Sequence, residues 1–514
     1  MKLLVKKRNE SYVSLVSEPI VLKSIFDYFK FRPQNYQFTP SYKTKKWDGW
    51  IRLYDINKNL FPLGLLFKLV PFCKAQNIEI TFENFNDEPI NLTEDFIIDY
   101  ANNTLKIDSS RALRDYQITG IQTGIREKHC ILLSPTGTGK SLIIYCLLRL
   151  ILKYNPSFKV LIVVPTLSLI DQMAGDFIEY SEHTGLDFDK FIQRKFTDKS
   201  KNVDKQIVIT TYQSIQYEEP NFFKQFGAIL VDECHVSSLK ENKVSQMIYN
   251  CTNAKYKIGF SGTLQDATFN LYSLYSSFGK VYPLTQTKKE IDRGNLSDVL
   301  IWQILIYYPN EISKQFFEEK KKWEKENIFF DNKQTLMYQK EIDYINTLPF
   351  KSNLINSICN KQKMNTLVLF RLNEFGNNLY NLLKNNLPDR QVFIVTGQTE
   401  KDFREDIRKI CEVNNNVVIV ANYKIFSTGI NIKNLHNIIF AESIKSKITT
   451  LQSIGRGLRL HSSKDKAQIF DLVDVLTYNG ELNITAKHSS YRSEIYEKEN
   501  FKVIKKDYVC STAG

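Results

Sequence analysis

The run Pro135-Thr136-Gly137-Thr138-Gly139-Lys140-Ser141 sets a lysine and a hydroxyl behind two glycines, between the apolar stretch CILLS and the helical stretch LIIYCLLRLIL. Small residues let successive backbone N–H groups converge on phosphate oxygens at a helix N-terminus. In such a nest Thr136, Gly137, Thr138 and Gly139 supply the phosphate-facing backbone. Lys140 reaches the β and γ phosphates, and the Ser141 hydroxyl ligates Mg²⁺. Ser134 stands where a strict phosphate loop carries glycine. A Gly-rich turn alone would account for the glycines but not for Lys140-Ser141 in this setting.

Further on, the apolar run AILVD ends in Asp232-Glu233-Cys234-His235. An acidic pair at the carboxyl end of a buried strand sits where α/β sheets keep their ligands. Asp232 is the candidate for the Mg²⁺ shell, and Glu233 for orienting and deprotonating an attacking water. Alone, such a pair usually caps a strand; behind a phosphate loop it reads as chemistry. Cys234 reads as a spacer, and His235 as a link to a neighbouring motif rather than a metal ligand. A third cluster is Gln452-Ser453-Ile454-Gly455-Arg456-Gly457-Leu458-Arg459. Arginine is always charged and suits the spread negative charge of a phosphoryl transition state. Three apart on a helix, Arg456 and Arg459 would share a face; a solvated basic helix is the competing reading.

These groups need a rigid frame, and the apolar pattern supplies one. Between residues 111 and 290 the runs CILLS, KVLIVV, QIVIT and AILVD alternate with helical stretches. Continuous apolarity marks strands covered on both faces, and their alternation with helices marks a parallel sheet. The texture returns in NTLVLF, QVFIV, NVVIVA, HNIIFA and QIFDLV, within 291–485. The expected fold class is therefore α/β, with two tandem parallel-sheet domains. A small α+β accessory domain (1–95) and a polar linker (96–110) precede them. The charged insertion 311–350 reads as a solvated helix whose aromatics pack on the second domain, and 486–514 reads as a polar tail.

The 514-residue chain is 43% hydrophobic, enough for several cores. Its 69 Lys and Arg against 56 Asp and Glu favour a polyanionic partner. Residues 1–60 alone hold 12 basic and 5 acidic residues. There Lys45, Lys46 and Trp47 lie among Tyr36, Phe38, Tyr42, Lys43, Trp50 and Arg52. Lysines can track phosphates while aromatics stack on bases; equally, the aromatics could form the module's core and the lysines its wet face. The eight cysteines include no CxxC pair, which argues against a structural metal or disulfide framework and for reduced thiols in the cytoplasm. No signal sequence or apolar run long enough to span a membrane is present.

In this order and spacing, PTGTGKS, DECH, Ser261-Gly262-Thr263 and QSIGRGLR resemble motifs I, II, III and VI of superfamily 2 helicases. Arg114-Asp115-Tyr116-Gln117 resembles the adenine-reading element, with Gln117 on the base. Val164-Pro165-Thr166 resembles motif Ia, Thr210-Thr211-Tyr212-Gln213-Ser214 motif Ic, and Ser427-Thr428-Gly429-Ile430-Asn431 motif V. DECH with SGT departs from the DEAD and SAT patterns of DEAD-box RNA helicases. The segments Phe38-Thr39-Pro40, Lys46-Trp47-Asp48-Gly49, Ile51-Arg52-Leu53-Tyr54 and Pro62-Leu63-Gly64-Leu65 narrow the resemblance. Together with Ile425-Phe426-Ser427-Thr428-Gly429-Ile430 and Lys433-Asn434-Leu435-His436, they resemble the UvsW family of recombination and repair helicases of T-even phages.

The resemblance implies RecA-like motor domains, ATP and Mg²⁺ as cofactors, and DNA as partner, branched, single-stranded or duplex. Pro165, Thr166, Thr211, Gln213 and Thr428 would then grip the strand, with Lys45, Lys46 and Trp47 as accessory contacts. Gly429 would face the nucleotide, while His235, Ser261 and Thr263 would couple the sites. It implies a monomer in the host cytoplasm that regresses forks, migrates Holliday junctions and unwinds D-loops and R-loops, the last containing RNA. A duplex translocase without strand separation, an RNA helicase and a non-hydrolysing nucleic-acid binder stand as alternatives; intact Lys140, Glu233 and Arg456 speak against the last.

Overall fold

The computed structural model describes all residues except 34–35, 87, 196–201, 239–242, 265–267, 327–332, 424–431 and 512–514. The chain forms two compact units, one of Met1–Pro135 and Gly139–Thr285, the other of Thr136–Thr138 and Gln286–Gly514.

In the first unit seven parallel strands lie in the order Lys280–Pro283, His129–Leu133, Tyr256–Ser261, Phe226–Val231, Lys159–Val164, Ile207–Thr211, Ile192–Lys195. Because side chains alternate along a strand, each strand feeds two cores. Leu132, Ile162, Leu230 and Ile258 pack with the helices Asp115–Glu127, Lys140–Tyr154 and Leu167–Ser181. Ile131, Leu161 and Ile229 face the other way, toward Met247, Ile248, Leu274 and Phe278. Residues 96–110, expected as a linker, do not hang free. Thr93 caps the helix Glu94–Asp99 by accepting the Phe96 N–H at 3.2 Å, and Ile97, Tyr100, Leu105 and Ile107 are buried in the first of these cores. Ile97, Tyr100 and Ala101 stand at helical spacing, but the run is only about one turn long and polar residues follow it, which gives the segment the look of a linker.

The N-terminal module is a mixed four-stranded sheet, ordered Phe61–Pro62, Tyr12–Val16, Lys2–Lys7, Glu79–Glu83. It packs on the helix Thr268–Phe278 of the same unit. Phe29 meets Tyr272 and Phe67 meets Tyr275 edge-on, while Tyr12 stacks on Tyr249 at 5.4 Å. Gly64 is required there, because a Cβ would collide with the Tyr275 carbonyl oxygen. The buried Lys257 ammonium joins the two layers, donating to Ser11 Oγ at 2.5 Å and to the Ile248 carbonyl at 2.9 Å.

The second unit is another parallel sheet of seven, ordered Gln391–Val395, Val417–Asn422, Thr366–Phe370, Asn437–Phe440, Lys466–Val475, Asp298–Tyr307, Lys502–Val509. Within the charged stretch 311–350, Phe316 and Phe317 of the helix Asn310–Glu326 are buried against the sheet, with Trp323 packed beside them. Of the stretch 486–514, expected as a polar tail, the described residues 486–511 are instead part of this unit. Helix Ile484–Lys498 buries Arg492 on Asp471 at 2.8 Å, and Lys502–Val509 becomes an edge strand. An edge strand exposes most of its side chains, so KVIKKDYV carries little apolar signature. Among the described residues no helix is long and apolar enough to cross a membrane.

Candidate active site

In a parallel sheet all carboxyl ends share one edge, so strand order decides which motifs become neighbours. Here His129–Leu133, Tyr256–Ser261 and Phe226–Val231 are adjacent and lead into PTGTGKS, SGT and DECH respectively. Main-chain bonds tie these loops together: the Ser134 N–H donates to the Ser261 carbonyl and the Asp232 N–H to the Val163 carbonyl, both at 2.9 Å.

Gly139 caps the helix Lys140–Tyr154 in the left-handed region, at φ 75°. A Cβ there would stand 2.7 Å from Gln117 Nε2, which itself donates to the Gly139 carbonyl at 3.4 Å. Gln117 Oε1 accepts the Arg114 N–H at 2.9 Å, so the two residues expected from sequence to meet adenine stand together beside Gly139 of the phosphate loop. The Lys140 ammonium folds back on the loop, donating to the carbonyls of Ser134 at 3.2 Å and Pro135 at 3.4 Å. The Ser141 hydroxyl shares a hydrogen bond with the Tyr180 hydroxyl at 2.9 Å. Tyr180 went unnoticed in the sequence, because a tyrosine near the end of an amphipathic helix carries no distinguishing pattern.

Asp232 is half-buried, but its Oδ1 is shut off from solvent and makes no hydrogen bond. Burial first, and then the neighbouring Glu233, holds its carboxyl above the usual carboxylate range, with Lys140 pulling the other way. A carboxylate oxygen without a partner and, on the same sheet edge, the Ser141 hydroxyl are oxygen donors of the kind a hard divalent cation takes. Glu233 takes a left-handed backbone (φ 49°), a strained conformation for a residue with a Cβ. Its Oε2 lies 3.3 Å from His235 Nδ1 and 3.5 Å from Ser261 Oγ. His235 Nδ1 and Ser261 Oγ are 3.0 Å apart, and Ser261 Oγ donates to the Thr263 carbonyl at 2.7 Å. The sequence-selected residues Glu233, His235, Ser261 and Thr263 thus form one hydrogen-bonded chain. Cys234 is fully buried against Gly259 of the next strand, a packing position.

The next two strands along the same edge lead into the loops selected for strand contact. Pro165 and Thr166 precede the helix Leu167–Ser181, and Thr166 Oγ1 is 3.1 Å from Ser168 Oγ. Thr211 caps Tyr212–Ile215 through the Ser214 N–H at 3.3 Å, leaving Gln213 exposed. Thr428 and Gly429, with the rest of 427–431, lie outside the described residues. In the second unit Gln452 and Arg456 ride on the helix Lys447–Gly457, which Ser446 caps by accepting the Thr449 N–H at 3.2 Å. The helix ends at Gly457, so Arg459 follows in the next turn rather than on the helix itself.

On the N-terminal module, Lys45, Lys46 and Trp47 line one open cleft with Tyr42. The module's core is built from other residues, including Leu3, Val13, Ile25, Phe29 and Phe61. Phe38 is 56% exposed, Trp47 Nε1 donates to the Trp50 carbonyl at 2.8 Å, and Arg32 lies over the rings of both Tyr36 and Trp50. Of the two readings of this segment, the geometry favours a surface of interleaved cations and rings.

Residues 2–83 match the family described as "DNA helicase UvsW, N-terminal", 110–266 "Type III restriction enzyme, res subunit", and 350–461 "Helicase conserved C-terminal domain". The chain is 31% identical over 515 residues to the ATP-dependent DNA helicase uvsW of Enterobacteria phage T4, covering 96% of this chain and 97% of that one. It is 25% identical over 391 residues to the DNA 3'-5' translocase XPB2 of Sulfurisphaera tokodaii, covering 71% and 81%. The crystal structure of T4 UvsW superimposes with a TM-score of 0.50 at 28% identity, covering 99% of this chain and 100% of that one.

Proposed function

Since the chain belongs to the UvsW family of ATP-dependent DNA helicases, we propose that it spends ATP on remodelling branched DNA. Its tasks are fork regression, Holliday-junction branch migration and the unwinding of D-loops and R-loops, where the displaced partner is RNA. It acts as a monomer in the cytoplasm of the host cell.

The observation that carries this reading is the edge of the first sheet, where a phosphate loop, an acidic pair and a hydroxyl network meet. In the proposed reaction the loop from Thr136 to Gly139 cradles the phosphates, Lys140 turns from its loop carbonyls to the β and γ oxygens, and Arg114 with Gln117 holds the adenine. Asp232 and Ser141 would hold Mg²⁺, which supplies positive charge to the phosphate oxygens when bound. Glu233 orients the attacking water and accepts its proton, and His235 with Ser261 and Thr263 relays the state of that carboxylate to the DNA-gripping loops. Gln452, Arg456 and Arg459 stabilise charge that develops on the transferred phosphoryl group. Pro165, Thr166, Thr211, Gln213 and Thr428 hold strand phosphates, Gly429 faces the nucleotide, and Lys45, Lys46 and Trp47 add a grip on the branch.

The test is the ATPase rate alone and with single-stranded DNA, duplex, a synthetic fork and RNA, in parallel with Glu233→Gln. Strong stimulation by the fork is expected, with turnover in the variant falling about a hundredfold or more. Stimulation by RNA alone would transfer the protein to RNA remodelling. The similarity to a translocase keeps one second reading in play: movement on duplex without strand separation, recognised by duplex-stimulated ATPase with no displaced strand.

A further inference from the structure

An α-helix leaves its last carbonyls without intrahelical partners. At the end of the helix Lys447–Gly457, three successive carbonyls are taken by two residues from elsewhere in the second unit. The Lys464 ammonium donates to the Gly457 carbonyl at 2.8 Å. The Ser297 N–H donates to the Leu458 carbonyl at 2.7 Å, and the Ser297 hydroxyl to the Arg459 carbonyl at 3.0 Å. Lys464 is 6% exposed and Ser297 3%. The other protons of Lys464 go to the carbonyls of Leu435 at 3.1 Å and Lys433 at 3.3 Å, so all three N–H groups are engaged.

The two holders are themselves rigidly placed. Ser297 immediately precedes the strand Asp298–Tyr307, and Lys464 stands two residues before the strand Lys466–Val475; these strands pair directly, Asp298 opposite Lys466. The turn bearing Arg456 and Arg459 is therefore anchored to the start of two paired sheet strands. An ammonium suits the negative end of a helix dipole, but this one is buried beside another cation: desolvation, then Arg459, pushes Lys464 down to about 8. A neutral donor could satisfy the same carbonyls without that repulsion, which separates this contact from ordinary capping.

We infer that Lys464 and Ser297 are positioning residues for the arginine turn, fixing the backbone from which Arg456 and Arg459 reach the transferred phosphoryl group. The inference rests on the proposed role of those arginines. Both residues bond to the main chain of the arginine turn, so each acts by removing freedom from the arginine backbone before ATP arrives.

The test is a double-mutant cycle on DNA-stimulated ATPase in the full chain, with Lys464→Met, Arg459→Ala and the pair. Lys464→Met should lower kcat about tenfold, the scale of a misplaced catalytic group, while KM for ATP stays within about twofold. Added to Arg459→Ala, it should lower kcat no further. Ser297→Ala should show the same non-additivity with a smaller effect, and Ser297→Thr, which keeps the hydroxyl, should restore turnover. Full turnover in Lys464→Met, or effects that multiply in the pair, would overturn the inference. If Lys464→Met does not fold, the cycle of Ser297→Ala with Arg459→Ala decides by the same criterion. Unchanged turnover in both Arg456→Ala and Arg459→Ala would instead remove the arginine role, a result distinct from a silent Lys464→Met beside a crippled Arg459→Ala.

Discussion

The nucleotide edge of the first sheet and the basic face of the N-terminal module belong to one unit, yet they are built on opposite principles. At the edge, Asp232 Oδ1 is buried, Glu233 sits in a strained backbone, and Lys140, Ser141, His235 and Ser261 each have defined partners within hydrogen-bond distance. On the face, Lys45 and Lys46 are exposed, and Tyr36, Tyr42, Trp47 and Trp50 remain outside the module's core. The difference follows from the two tasks. Phosphoryl transfer gains from fixed charges in a dry site, because they need no reorganisation at the moment of reaction. Gripping a nucleic-acid backbone gains from many wet cations that release counterions, none of which must be placed to within an ångström.

The contrast is sharpest at Lys140. Lys140→Ala should abolish ATP hydrolysis while leaving salt-sensitive DNA binding intact, measured as turnover and as fork affinity against salt. Parallel loss of both would mean the two regions are not separable. A smaller change belongs to the face. Trp47→Ala should weaken fork binding by about 1–3 kcal/mol if a base stacks there, and Lys45→Ala and Lys46→Ala should each flatten the salt dependence of binding by about one unit of slope. Basal ATPase should not move in any of the three. An unchanged salt slope would return these lysines to the role of a solvated surface.

Truncation is the wrong instrument for this comparison. The module covers Tyr249, Tyr272 and Tyr275 and supplies the Ser11 oxygen to buried Lys257, so removing residues 1–95 would uncover the helices that carry these tyrosines as well as remove the proposed DNA contact. The smallest expected effect concerns that junction. Burial lowers Lys257 from its ordinary value to about 8. Between that value and the ordinary lysine range near 10.5, the unfolded chain holds a proton that the folded chain has shed, so stability should rise with pH across this window. Below it both states are protonated and the burial penalty is fully present. The rise, read as Tm against pH, should vanish in Lys257→Met; its persistence there would assign it to another group.

Local sequence determined the groups that carry chemistry and most of the strands that hold them. PTGTGKS and DECH are contiguous, and the buried strands beside them carry unbroken apolar runs, such as AILV within Phe226–Val231. Their function needs close spacing along the chain, so spacing reveals them. Tertiary structure decided what depends on distant partners. The strand Tyr256–Ser261 is interrupted by a lysine and reads as half-polar, because the serine that makes Lys257 tolerable inside the sheet is 246 residues away. The strand Lys502–Val509 is recruited by its backbone rather than its side chains, which periodicity does not register. Tyr180 on Ser141, and Lys464 with Ser297 on the arginine turn, are contacts across folded space between residue types common on any surface. A hydrogen bond between remote segments leaves no periodic trace in either; only the fold that closes the distance assigns it a role.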